Sequence, residues 1–127
     1  MSGLEDAKDL LTAARNDVQA LNGMLDPEVF ADEVFGFHAQ QAAEKSLKAW
    51  IAVLGSDYPL THNLISLLTQ LEEMGCDVGE LWELVQYNAF AVQYRYARFE
   101  SLDAELDRPE IARRVTELLN HVQSLVG

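Results

Sequence analysis

A helical run in the first half of the sequence carries His38, Gln41, Lys45 and Lys48 at spacings of i, i+3, i+7 and i+10. At about 100° per residue these four fall within about 80° of one helix face. Two ammonium groups beside a titratable imidazole are the equipment of an anion site, suited to a phosphate-bearing ligand. Val34 and Phe37 continue the same side upstream, so the polar row grows out of an apolar patch. In the structural alternative those two pack against a neighbouring helix or a dimer partner while the lysines stand in water. Glu44, four residues before Lys48, is placed to pair with it and would then reduce the free positive charge. The opposite face, Ala39, Ala42, Ala43, Ser46, Leu47, Trp50, Val53 and Leu54, is mostly small and lets a neighbour pack closely.

The elements that must position this row are helical almost throughout, and no alternating strand pattern persists. Ser2-x-x-Glu5 is a capping box for a first helix with the stripe Leu4, Ala7, Leu11, Ala14, Val18 and Leu21, closed by Asn22-Gly23. Asp26-Pro27-Glu28 reads as the start of a second helix over about 28–54, stopped at Gly55. Thr61 is the expected N-cap of a third helix over about 62–74, ending at Gly75, and a fourth runs from near Gly79 to about Phe99. Asp107-x-x-Glu110, with Pro109 in the first turn, opens a fifth whose stripe is Ile111, Val115, Leu118, Val122 and Leu125. Short loops between such helices predict an all-α, antiparallel up-and-down bundle of four main helices plus one short helix, a single domain over 1–127.

Composition narrows the function. The 127 residues are 49% apolar, with a formal net charge of −12. Every apolar run is broken by charge short of the ~20 residues a transmembrane helix needs. The N-terminus lacks the basic start and apolar run of a signal peptide, so a soluble, cytoplasmic protein with no membrane association is expected. Cys76 is the single cysteine, and the three histidines have no metal-ligand spacing beside it, so no metal or cofactor is expected. No DNA-binding motif and no Gly-rich phosphate loop is present. The acidic total argues against general nucleic-acid binding. The charge is uneven, however: residues 1–37 and 72–94 are strongly acidic, 38–71 are balanced, and 95–127 carry five arginines against six acids. A local cationic site can therefore exist on an acidic body.

The run F-H-A-Q-Q-A-A-E-K-S-L-K-A-W (37–50), followed after a short loop by P-L-T-H-N-L-I-S-L-L (59–68), resembles the signature of the HEPN superfamily. A-V-Q-Y-R-Y (91–96) is similar to a further element of that family on its fourth helix, although Ala97-Arg98-Phe99 stands where proline usually follows. The resemblance implies a small all-α domain associated with nucleotides, often encoded beside a minimal nucleotidyltransferase. In some branches it implies a metal-independent ribonuclease acting as a toxin, with a homodimer forming the cleft. His38, Lys45, Lys48, His62 and Arg95 match the family pattern and are the expected nucleotide- or anion-binding set. His62 is expected at the first turn of the third helix, where backbone N–H groups also attract anions.

The family's ribonuclease hallmark, arginine and histidine with four to six residues between them, is matched here by Arg114 and His121, with six between. The resemblance gives the arginine a phosphate to hold, and the histidine a proton to move at the 2′-hydroxyl or the leaving group. The plainer reading is a terminal helix with basic residues along it. Two functions therefore stand side by side. One is a nucleotide- or RNA-associated component working with a nucleotidyltransferase partner. The other is a non-catalytic interaction bundle whose acidic surface meets a basic partner.

Overall fold

The computed structural model describes residues 3–93 and 106–127. These form an all-helical bundle with α1 over Gly3–Gly23, α2 over Asp32–Val53 and α3 over Leu64–Glu73. A 3-10 helix over Gly79–Tyr87 leads directly into α4, Asn88–Gln93, and α5 spans Arg108–Val126.

The central element is α2, which touches α1, α3, the 3-10 helix, α4 and α5. That position follows from its composition: Phe35, Ala39, Ala42, Ala43, Leu47, Ala49, Trp50, Ile51 and Ala52 are all buried. Small residues on several sides let neighbours approach on each, whereas an ordinary surface helix buries only one stripe. α1 runs antiparallel to α2, with Gly3 against the Ala52 carbonyl. α5 runs parallel to α2, because Arg108 meets Asp32 at one end and His121 meets Trp50 at the other.

Several expected boundaries hold for local chemical reasons. Gly55 and Gly75 take φ of 85° and 88°, the left-handed conformation that a Cβ disfavours. Each closes a Schellman motif: Gly55 N–H donates to Ala52 O and Ser56 N–H to Ile51 O, while Gly75 N–H donates to Glu72 O and Cys76 N–H to Leu71 O. Asp107 caps α5 by accepting from Glu110 N–H at 3.2 Å.

Other boundaries differ. α2 begins at Asp32 and not near 28, because Asp26 closes only one turn. Its side chain accepts from Glu28 N–H, its carbonyl accepts from Val29 and Phe30, and the chain then bends. α3 is capped by Asn63 and not by Thr61. Asn63 Oδ1 accepts from Ile65 N–H, while Thr61 Oγ1 accepts from Asn63 N–H one step earlier. The expected fourth helix starts as nine residues of 3-10 helix before α4, and its last residues, with Arg95, lie outside the described ones. Ser2 of the expected capping box lies outside them too.

Arg108 holds the α1–α2 connection. Only 3% exposed, it donates through Nη1 to Met24 O at 2.8 Å and through Nη2 to Phe30 O at 2.7 Å and Asp32 Oδ1 at 2.8 Å. Its guanidinium lies 5.0 Å from the centre of the Phe35 ring. A planar fork of N–H groups can satisfy several carbonyls at once, which an ammonium at that point would not do.

Candidate functional site

The polar row on α2 divides between two carboxylates. Asp17, on the edge of the α1 stripe, takes His38 Nδ1 on Oδ1 at 2.9 Å and Lys45 Nζ on Oδ2 at 2.7 Å. Glu44 takes Lys48 Nζ on Oε2 at 2.9 Å and Gln40 Nε2 on Oε1 at 3.1 Å. Nδ1 of His62 lies 3.1 and 3.2 Å from the two Glu44 oxygens. Gln41 joins the row by donating to Gln40 Oε1. Each lysine charge is thus matched by a carboxylate, and the two histidines add positive charge only when protonated.

Burial differs between the two groups. Asp17, Glu44, Gln40 and Lys48 are buried, whereas the His62 side chain is 63% exposed. Gln40 also donates to His62 O at 2.8 Å, fixing the backbone from which the ring projects. Lys48 Nζ stands 5.7 Å from the centre of the Tyr58 ring, and Tyr58 donates to Asp6 Oδ2 at 2.9 Å. Burial, followed by the Asp6 carboxylate, raises the Tyr58 pKa.

His62 precedes α3 instead of lying in its first turn, and the amides there are already in use. Leu64 N–H donates to Asn88 Oδ1, Ile65 N–H to Asn63 Oδ1 and Ser66 N–H to Asn63 O. Asn88, which on spacing alone would share a line with Arg95, is therefore a second cap that ties α4 to α3, also donating to Asn63 Oδ1. The expected contribution of helix N–H groups to an anion site has its donors consumed.

Arg114 and His121 lie together elsewhere. Both line a groove of about 610 Å³ between the 3-10 helix and α5, walled by Trp50, Leu81, Leu84 and Leu118 and edged by Asp77, Glu80, Glu83 and Glu117. Two turns of helix separate them, a rise of about 10 Å. The His121 ring meets Trp50 edge-on at 4.8 Å. Arg114 pairs with Glu83 across the groove and with Glu110 through Nε at 3.0 Å. Arg113 pairs with Glu110 and Glu117. Hydrogen bonds from Arg113 and then Arg114 hold the Glu110 carboxyl well below the usual range, at about 2, and both arginines are raised in turn, first by Glu110.

The sequence profile of the HEPN domain matches residues 7–126, almost the whole chain. The chain belongs to the HEPN family. Among curated proteins and among solved structures, nothing matches. Of the residues expected to form one anion site, His38 and Lys45 meet Asp17, Lys48 and His62 meet Glu44, and Arg95 lies outside the described residues. No helix among the described residues is long and apolar enough to cross a membrane.

Sequence reasoning anticipated the Glu44–Lys48 pair from its spacing but passed over Asp17 and Arg108. Asp17 had a signal of its own, since it follows Ala14 by three residues and abuts Val18 on the buried stripe. An acid there needs a partner. Arg108 had no such signal, because its partners are mostly backbone carbonyls.

Proposed function

We propose that this HEPN protein is a nucleotide- or RNA-associated component, toxin-type or accessory, that acts as a homodimer with a minimal nucleotidyltransferase partner. The groove beside Trp50 is the place where its ligand engages, with Arg114 contacting phosphate and His121 moving a proton. The observation carrying this reading is that Arg114 and His121, distant in sequence from the α2 row, face one groove with an aromatic wall. Arg114 has carboxylate partners that a phosphate would have to replace, Glu83 and Glu110. The four acids on the groove edge oppose a polyanion. A second chain bringing cations to the groove answers both, which is why the homodimer belongs to the proposal.

Arg95 stays in the expected anion-binding set, and His38, Lys45, Lys48 and His62 have that role only if ligand competes with Asp17 and Glu44 for them. The acidic groove edge favours a second reading, in which the same groove receives a basic partner protein and no reaction occurs. RNA cleavage and nucleotide binding at low salt distinguish the two. Cleavage abolished by Arg114→Ala and by His121→Ala, with folding intact, supports the first. Absence of cleavage and of nucleotide binding, in the dimer and with the co-expressed nucleotidyltransferase, overturns it and leaves the interaction bundle.

A further inference from the structure

We propose that His62 is a phosphoryl-acceptor site, taking a phosphoryl group on Nε2 from a small phosphoryl donor. The proposal is independent of the ribonuclease reading, since it concerns the opposite set of residues.

The argument starts with the ring's orientation. A carboxylate only accepts hydrogen bonds, so Nδ1 of His62, which faces both Glu44 oxygens, carries the ring proton. In the neutral ring Nε2 is then the nitrogen with the free lone pair, on a side chain that is 63% exposed. Three features keep that arrangement fixed. Glu44 is buried and anchored by Lys48 and Gln40, and Gln40 holds the His62 carbonyl as well. The following residue, Asn63, caps α3. The ring therefore has little freedom to turn its nucleophilic nitrogen inward.

Attack by Nε2 on phosphorus places positive charge on the ring, and the Glu44 carboxylate at Nδ1 stabilises that charge as it develops. One bond forms between Nε2 and phosphorus, and the bond from phosphorus to the leaving group breaks with its electron pair going to that group. The proton on Nδ1 stays in place, donated to Glu44. The other two histidines lack this combination. The His38 ring makes the same kind of contact with Asp17, but its side chain is only 30% exposed and it packs edge-on to Phe37. His121 has its ring against Trp50. His62 projects from the surface, outside the groove that holds Arg114 and His121, where a donor reaches Nε2 directly from solution.

The test uses potassium phosphoramidate on the full chain at neutral pH, with sites mapped by mass spectrometry and the modified nitrogen assigned by NMR. Ammonia is the leaving group. The expected result is His62 labelled on Nε2, faster than His38 and His121 in the same molecules. Glu44→Gln, which keeps an acceptor but removes the charge, slows His62 labelling about tenfold while leaving His121 unchanged. The comparison among three histidines of the wild-type chain needs no variant, so the test survives if Glu44→Gln fails to fold. Labelling of His62 no faster than His121, or on Nδ1, overturns the proposal.

Discussion

Arg108 and Asp32 join the first turn of α5 to the first turn of α2, with Nη2 and Oδ1 2.8 Å apart. Asp32 is half exposed while Arg108 is buried, so the arginine's further partners, Met24 O and Phe30 O, matter more to it than the carboxylate does. Replacing Arg108 with methionine strands those carbonyls and frees the 24–31 connection. The expected loss is about 3 kcal/mol of unfolding free energy, read by urea denaturation. Arg108→Lys recovers little of it, because one ammonium cannot span three acceptors. Equal stability of Arg108→Met and the wild type would contradict the role assigned here.

Lys45 and Asp17 set a condition on any test of the α2 row. Lys45→Glu places a carboxylate against the largely buried Asp17, so loss of ligand binding in that variant would mix unfolding with loss of a site. Lys45→Met removes the charge and keeps the packing of the stem. It should cost about 1–2 kcal/mol, and Lys45→Glu clearly more. Thermal melts of the two variants side by side check the order.

Gly36 sits against the ring of Phe90, and a Cβ there would lie 2.5 Å from the ring carbons. Both residues are buried, so neither can move aside into water. Gly36→Ala should destabilise the fold by about 1–3 kcal/mol. Combining it with Phe90→Leu should return part of that loss, a non-additivity that a double-mutant cycle measures directly.

Glu110 links pH to the two groove arginines. Its folded pKa, about 2, lies below the ordinary 4.5, so the stabilising effect of its ion pairs is complete above 4.5 and is lost as pH falls toward 2. The side-chain carboxyl carbon of Glu110, followed by NMR, should therefore titrate near the bottom of that window. In Arg113→Ala the midpoint should move up toward 4.5, and added salt should move it the same way. A midpoint near 4.5 in the wild type would show that the arginines are not holding it.

The local sequence sufficed for much of the fold. Left-handed glycines at 55 and 75 end α2 and α3, and Asp107 opens α5, because each of these signals acts within five residues of itself. Helical periodicity and the runs at 37–50 and 59–68 similarly carried the bundle and the HEPN resemblance, since both are written in consecutive residues. The start of α2 differs from the expected one because Asp26 does satisfy the nearby amides, but for a single turn only.

What most of the polar side chains on α2 do was decided by the tertiary structure. Spacing puts His38, Lys45 and Lys48 in one row, yet their meaning depends on Asp17, which approaches from a separate helix, and on Glu44, whose burial only packing reveals. A lysine facing water is a free cation, whereas the same lysine 2.7 Å from a largely buried aspartate is half of a neutral pair. The groove of Arg114 and His121 likewise exists only because the 3-10 helix packs across from α5. Periodicity fixes which face of a helix a charge occupies and can show an i, i+4 partner such as Glu44 for Lys48; the carboxylate that neutralises Lys45 comes from a segment that packing alone brings near.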